Sequence, residues 1–308
     1  MKYTKTPLTI DQQIQKLKDR GLLFTDEEKA KSFLSNISYY RLRAYTYPFQ
    51  DNSSIDQPFI GTISFEEIIQ FYIFDRKLRL LVFDALEKIE VALRTQLIYQ
   101  YAIVHGSHWH CKAKLFRNQY YFNEHTESLN QEIDRSHEVF IEHYQKKYDD
   151  PKELPSWMAF EVTGLGLLSK FFRNLKDTPE KRKVTSYFGL HDLNVLENWM
   201  LCFSNVRNIC AHHGRLWNRR LTGIPILPTN TKNNFIYNNT IDKNKLYCIL
   251  CCMVYILTII SPDNNFMQKF HQLIHHYSII PLHLMGFPKS WKRESLWKVK
   301  NSTSTKII

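Results

Sequence analysis

The sequence predicts an all-α protein, and two observations support this fold class. Only 9 glycines and 11 prolines occur in 308 residues, too few for the many tight turns of a sandwich or barrel. Apolar residues recur at three- and four-residue spacing in one segment after another, which is the pattern of an amphipathic helix. A chain of this length can bury a sizeable core, either as one large domain or as two smaller ones.

The first two helices are predicted over residues 9–20 and 26–36. Each segment carries apolar side chains on one face. The run Thr25-Asp-Glu-Glu is suited to cap the second helix, because short polar side chains accept hydrogen bonds from first-turn amides. The polar stretch 51–61 is predicted to be a loop. We therefore expect residues 1–60 to form an N-terminal helical extension.

An aromatic and basic segment follows the second helix at residues 37–49, and two interpretations of it remain open. In the first interpretation, its tyrosines pack a short helix onto the body of the protein, as buried aromatic residues commonly do. Alternatively, they stack on bases while Arg41 and Arg43 contact phosphates. Arg41 is therefore a candidate nucleic-acid contact.

A long helix is predicted over residues 64–104. Apolar residues form one stripe along it, and Ser64-Phe-Glu-Glu67 has the form of a capping box. Glu90 and Arg94 are four residues apart on this helix. We expect the two side chains to pair on its surface, where such a pair contributes roughly a few tenths of a kcal/mol.

The run His105-Gly-Ser-His-Trp-His-Cys111 contains the residue types that bind zinc. A closed metal site needs three or four converging ligands, and the sequence shows no partner cluster with paired spacing. The run is therefore predicted to be a loop, and neither a metal nor another cofactor is expected. A metal-dependent hydrolase that uses the histidines of this run is a third functional class, behind the two considered below. The six cysteines do not form two CxxC motifs, and the four that lie inside apolar helical runs are interpreted as reduced core thiols.

Further helical segments are predicted in the second half of the chain. An amphipathic segment covers residues 127–148, and a helical hairpin opens within residues 154–172. Two more helices are expected near residues 243–260 and 264–277. Residues 221–240 are rich in Pro, Thr and Asn and are predicted to be an exposed loop.

Charge and hydrophobicity set limits on the protein's surroundings. The formal charge of +11 and the pI of about 9.2 favour a polyanionic partner. The most hydrophobic run, residues 246–260, is shorter than the roughly 18 residues of a confident membrane span and predicts a buried helix. The N-terminus has no apolar core of a signal peptide, so we expect a soluble cytoplasmic protein without a membrane partner. A locally basic part, normally a solvated face but also the best candidate for backbone contacts, contains Lys170, Arg173, Lys176, Lys181, Arg182 and Lys183.

The densest cluster of polar side chains lies at residues 204–219. Asn208 and His212 lie one turn apart on one face of a helix, whereas Arg207 and His212 are separated by roughly 140°. A guanidinium that binds phosphate beside an imidazole that transfers protons is suited to cleaving RNA without a metal. The alternative is a polar helix end whose charged side chains only cap carbonyl groups.

The run Arg207-Asn208-x-x-x-His212 resembles the R-x4-H motif of HEPN ribonucleases. Its longer form, Arg-Asn-Ile-Cys-Ala-His-His-x-Arg-Leu-Trp-Asn, is similar to the abortive-infection proteins of the AbiD/AbiF type. The stretches Tyr-Tyr-Arg-Leu, Ile-Glu-Val-x-Leu-Arg and Leu-Pro-x-Trp are similar to further blocks of that family, so the resemblance extends over residues 39–217. It implies a HEPN-like helical bundle, which we place at residues 61–290. A basic tail at 291–308 follows, and its last residues, 301–308, are expected to be frayed.

The resemblance implies a metal-independent endoribonuclease of an antiphage abortive-infection or toxin–antitoxin system. Such an enzyme acts on RNA as a homodimer, and its relatives are inhibited by a small RNA or a partner protein. We expect His212 to transfer protons, Arg207 to bind the scissile phosphate and Asn208 to orient either group. A non-catalytic RNA-binding regulator with the same basic face is the alternative. The expected RNA contacts are His213, Arg215, Arg219, Arg94 and Arg41.

Overall fold

The computed structural model describes residue 2, residues 6–238 and residues 240–298. Within this part of the chain, twelve α-helices and several short 3₁₀ turns form the fold, and β-structure is limited to isolated bridges. The prediction of an all-α fold is confirmed. The chain divides into two compact units, one of residues 1–78 and 273–280 and the other of residues 79–272 and 281–308.

The first unit contains helices α1 (Ile10–Asp19), α2 (Glu27–Ile37) and α3 (Tyr39–Thr46) and the start of the long helix α4 (Phe65–His105). The predicted helix starts are confirmed. The Asp26 side chain accepts a hydrogen bond from the Lys29 amide, and Ser64 and Glu67 form the reciprocal bonds of a capping box. These caps explain why both helices begin within a residue of the predicted positions.

The aromatic residues around α3 divide between the core and the surface of this unit. Tyr45 is buried, and its hydroxyl donates to Asp75 Oδ2 at 2.6 Å. Its ring meets that of Tyr72 edge to face. Tyr40, in contrast, is 85 % exposed. Arg41 also lies on the exposed side of α3.

The second unit holds the rest of α4 and most of the remaining helices. They are α5 (Gln119–Arg135), α6 (Val139–Lys147), α7 (Ser156–Ala159), α8 (Leu165–Asn174), α9 (Pro179–Tyr187), α10 (Leu193–Ala211), α11 (Leu246–Ile260) and the larger part of α12 (Phe266–His276). The predicted amphipathic segment, residues 127–148, covers the second half of α5 and all of α6. The chain forms two helices there, because the Ser136 hydroxyl accepts a hydrogen bond from the Glu138 amide at 3.3 Å and competes with helical pairing.

Helices α8 and α10 pack against each other with opposite chain directions. Gly166 at the start of α8 lies beside Ser204 in the second half of α10. At the other end of the pair, Leu175 just after α8 and Glu197 near the start of α10 accept hydrogen bonds from the same buried lysine. A Cβ atom on Gly166 would come within 3.2 Å of Ser204 Oγ. The absence of a side chain at Gly166 therefore allows the close approach of the two helices.

The buried lysine is Lys181 of α9, one of the cations expected on a solvated face. Its ammonium donates to Glu197 Oε1 at 2.6 Å and to the Leu175 carbonyl at 2.8 Å. Burial lowers the pKa of Lys181 to about 8, although the Glu197 carboxylate opposes this change. The solvated-face interpretation is wrong at Lys181, because its charge is paired with a carboxylate that lies on another helix.

Helix α11 forms much of the remaining core, with every side chain from Leu246 to Leu257 buried, as predicted. No helix in the described part of the chain is long and apolar enough to cross a membrane. The predicted basic tail contributes to the same core, because Trp291 and Trp297 are buried and pack around Phe270. The expected fraying at residues 301–308 lies outside the described residues.

Candidate functional site

The polar cluster of the sequence lies at the C-terminal end of α10. Asp192 caps the start of this helix, and its side chain accepts a hydrogen bond from the Asn194 amide at 2.8 Å. One side of the helix is buried through Leu196, Trp199, Met200, Phe203 and Val206. The opposite side carries Leu201, Asn208 and His212 at helical spacing, and Leu201 is 42 % exposed. This exposed side is called the motif face below.

Helix α10 ends in a Schellman turn made by the motif residues themselves. The Gly214 amide donates to the Ile209 carbonyl at 2.8 Å, and the His213 amide donates to the Cys210 carbonyl at 3.1 Å. His213 has a φ of +55°, a left-handed conformation in which glycine is the usual residue. The turn reverses the chain at this point and brings the following residues alongside the helix.

The residues after the turn anchor this reversed segment. Leu216 and Trp217 are fully buried. Asn218 also has a positive φ, of 49°, and its Oδ1 accepts a hydrogen bond from Lys245 Nζ at 3.0 Å. The Leu-Trp-Asn part of the motif therefore fixes the position of the backbone beside α10.

A cavity of about 350 Å³ opens between α10 and this reversed segment. Asn208, His212 and Arg219 all line it, so an amide, an imidazole and a guanidinium share one open space. Gly223 closes the far side, where an added Cβ would lie 3.0 Å from Asn205 Nδ2. These three side chains could bind a phosphate together, since they offer donors to its oxygens.

Arg207 lies on a different side of α10 and does not line this cavity. Its Nε is 3.8 Å from Glu90 Oε2, and its guanidinium carbon is 5.5 Å from the centre of the Phe83 ring. Both partners belong to α4. Within one chain, Arg207 is thus held against α4, while Asn208 and His212 face the cavity.

Glu90 also pairs with Arg94, as the spacing predicts, but the pair is buried rather than on the helix surface. Arg94 and Glu90 are only 8 % and 9 % exposed. Arg94 Nη2 donates to Glu90 Oε1 at 3.0 Å and to the Thr163 carbonyl at 2.8 Å, and Nη1 lies 3.4 Å from Glu161 Oε2. Burial raises the pKa of Glu90, while the guanidinium groups of Arg94 and Arg207 act in the opposite direction. The structure thus places Arg94 in a buried ion-pair cluster with Glu90 and Glu161, and Arg207 contacts this cluster through Glu90.

The other candidate RNA contacts are spread over both units. His213 and Arg219 are exposed beside the cavity, and Arg219 Nη1 donates to the Arg215 carbonyl at 3.4 Å. Arg215 is half-buried in the same turn. Arg41 belongs to the first unit, whereas the cavity belongs to the second.

The histidines of the 105–111 run have separate partners. His105 lies 3.4 Å from Glu180, His108 meets the Glu153 carbonyl at 2.9 Å, and His110 is buried. Among the described residues, no three His, Cys, Asp or Glu side chains are placed to hold a metal ion. The run ends α4 and continues as a 3₁₀ turn, Trp109–Cys111, whose Trp109 is buried.

Sequence reasoning missed the contact between Glu90 and Arg207. The two residues are far apart in the chain, so no local spacing indicates it. The i,i+4 pairing with Arg94 is the only local signal, and it predicts a surface pair. Burial of the cluster depends on the start of α8, whose Leu165 amide also donates to Glu90.

The fold and the site define an all-α protein with a polar cavity at the end of a buried helix. Residues 32–218 match the family of Abi-like proteins. This match covers more than half of the chain and includes both the α4 cluster and the motif through Asn218, so the chain belongs to the Abi-like protein family. Neither the curated proteins nor the solved structures gave a match.

Proposed function

We propose that this Abi-like protein is a metal-independent endoribonuclease of an abortive-infection system. The observation that carries the proposal is the shared cavity of Asn208, His212 and Arg219 at the end of α10. Membership of the Abi-like family supports the role in abortive infection. The basic balance of the chain favours a polyanionic substrate.

In the proposed reaction, His212 removes the proton of a ribose 2′-hydroxyl. The 2′-oxygen then attacks the adjacent phosphorus, and the bond from phosphorus to the 5′-oxygen breaks. The departing 5′-oxygen takes up the proton that the His212 imidazolium gives back through water, so the products are a 2′,3′-cyclic phosphate and a 5′-hydroxyl. A neutral imidazole accepts a proton at one ring nitrogen, and the imidazolium donates it again, so one side chain can serve both proton transfers. Arg219 and Arg207 stabilise the charge that develops on the phosphate.

The placement of Arg207 makes a two-chain site part of the proposal. Arg207 and His212 of one chain face different sides of α10, so a phosphate in the cavity meets His212 but not Arg207. A two-fold pairing that sets the motif face of each chain beside the half-exposed Arg207 of the other would bring the Arg207 of one chain towards the His212 of the other. The exposed Leu201 on that face supports this arrangement, since pairing would bury it.

The test is cleavage of single-stranded RNA by the purified protein in EDTA, with the new ends mapped by sequencing. Wild type should leave 2′,3′-cyclic phosphates, and a 2′-deoxy substitution at a cut site should block that cut. His212→Ala should cleave about 10² to 10⁴ times more slowly. The matched control is His191→Ala, which removes an exposed histidine just before the same helix. Equal rates for His212→Ala and wild type would refute the assignment, and activity that requires zinc would refute the metal-independent mechanism.

A non-catalytic RNA-binding regulator is the second candidate. The exposed position of His212 at a helix end favours it, because an exposed imidazole can contact a phosphate without transferring its proton. In that case wild type binds RNA and cuts none of it. His212→Ala would then weaken binding, whereas a catalytic histidine affects mainly the cleavage rate.

A further inference from the structure

A second cavity of the same unit lies away from the motif. It encloses about 390 Å³ between the start of α5 and the exposed side of α8. Three cations, Arg117, Lys170 and Arg173, line it together with the carboxylate of Glu124 and the rings of Tyr121 and His125. A concave site that combines three cations with an aromatic side chain is suited to a nucleotide, whose phosphate is anionic and whose base is flat.

The cations of this cavity differ in how strongly other groups hold them. Arg117 is bound by Glu197 at 2.8 Å, and Lys170 lies 3.7 Å from Glu124. The exposed guanidinium of Arg173 forms no ion pair with any described residue. Asn118 caps α5, so the positive end of that helix faces the same space. Arg173 thus offers a planar pair of donors to a phosphate, with Lys170 beside it.

The aromatic side of the cavity is already ordered by stacking. Tyr121 is 50 % exposed, and its ring lies nearly parallel to that of His125, at 14° and with 6.0 Å between centroids. His125 is only 6 % exposed, and its buried Nδ1 has no hydrogen-bond partner in the described part of the chain. One face of Tyr121 is thereby supported by protein, while its exposed part remains available to stack on a base.

We infer that this cavity binds a nucleotide of a single-stranded RNA at a distance from the cleavage site. The inference rests on the proposed function for the nature of the ligand. The distance between this cavity and His212 follows from helix geometry. Arg117 of the cavity pairs with Glu197 of α10, and Glu197 precedes His212 by fifteen residues. Fifteen residues of helix span about 22 Å, roughly six or seven nucleotides at the spacing of a stacked strand and fewer when the strand is extended.

The test measures binding of oligouridylates that carry 2′-O-methyl groups throughout and therefore cannot be cut by 2′-hydroxyl attack. Binding of a 12-mer is compared between wild type and the double variant Lys170→Ala/Arg173→Ala. The matched control is Lys176→Ala/Lys183→Ala, which removes two exposed lysines outside the cavity. The cavity variant should bind the 12-mer on the order of 10-fold more weakly. For this variant, the slope of the logarithm of the binding constant against the logarithm of the salt concentration should be smaller in magnitude by about 1.4, which corresponds to two lost phosphate contacts.

Two further comparisons separate the cavity from a generally basic surface and from the proposed function. Tyr121→Leu should weaken 12-mer binding by about 5- to 150-fold, the loss of one base stack, whereas Tyr121→Phe should bind like wild type. Equal effects of the cavity and control pairs would overturn the inference. If wild type binds the 12-mer through the cavity but cuts no unmodified RNA, the proposed nuclease function fails and the binding site stands. If wild type cuts RNA but the variants of Lys170, Arg173 and Tyr121 bind the 12-mer as wild type does, the cavity inference fails and the proposed nuclease function stands.

Discussion

Arg207 and Glu90 approach each other to 3.8 Å between Nε and Oε2, across the gap between α10 and α4. The other oxygen of Glu90 accepts from Arg94 at 3.0 Å. One carboxylate thus faces two guanidinium groups and links the motif helix to the long helix. Because Glu90 and Arg94 are buried and Arg207 lies beside them, the loss of Glu90 should affect both the fold and the position of Arg207.

Glu90→Ala should lower the free energy of unfolding by about 3 kcal/mol, since it leaves the buried Arg94 without its main counter-charge. Urea denaturation monitored by circular dichroism measures the change. Glu87→Ala is the matched control, because Glu87 is an exposed glutamate on the same helix. Equal stability of the two variants would show that the Glu90 cluster contributes nothing to the fold.

A two-chain active site predicts complementation between two inactive variants. Arg207→Ala mixed with an equal amount of His212→Ala should recover about one quarter of wild-type activity, because half of the dimers are mixed and each mixed dimer holds one intact pairing. RNA cleavage by each variant alone and by the mixture is the measurement. The activity of wild type should also fall on dilution below the dissociation constant of the dimer. A mixture that stays inactive, or a wild-type monomer with full turnover in light scattering, would contradict the shared site.

The strained turn at His213 predicts an unusual order of stability. His213→Gly should be more stable than His213→Ala by about 1 kcal/mol, because glycine adopts the φ of +55° without a Cβ clash and alanine does not. Both variants lose the imidazole, so their difference isolates the backbone effect. Thermal unfolding of the two proteins gives the comparison. If the alanine variant were the more stable one, the left-handed turn would not exist in solution.

The buried His110 predicts a loss of stability in acid. Burial lowers the pKa of His110 to about 4, whereas an exposed histidine titrates near 6.5. The unfolded chain therefore binds more protons between these values, and stability falls as the pH drops from about 6.5 towards 4. Over this window the loss amounts to roughly 3 kcal/mol. His110→Leu should show a shallower decline than wild type in denaturant titrations at each pH, and parallel curves would contradict the prediction.

The sequence predicts the helices of this protein well where apolar periodicity is strong, as in α4 and α11. It fails where tertiary contacts decide the outcome. Lys181 belongs to a basic run typical of a surface, yet it is buried in the core, where it forms an ion pair with Glu197 on another helix. No prediction from the sequence covers the first part of α5, which follows the cap Asn118 and begins Gln-Tyr-Tyr-Phe.

The candidate site shows the same division between local and long-range information. The spacing of Asn208 and His212 places them on one helix face, and the structure puts them in one cavity. The left-handed turn at His213 could not be predicted, because a glycine usually marks such a position. The contact of Arg207 with Glu90 could not be predicted either, because it depends on how α4 and α10 pack in the folded unit.

The close contact of Gly166 with Ser204 has a consequence for how an RNA would be cut. With 3.2 Å between Ser204 Oγ and the place of a Cβ on Gly166, α8 and α10 have little room to slide along each other. Arg173 on one helix and His212 on the other are therefore separated by a set length. If the proposed nuclease and the proposed nucleotide site both hold, the cleavage position is set by the number of nucleotides from the bound one, so cut sites should recur at a constant offset rather than at a constant sequence.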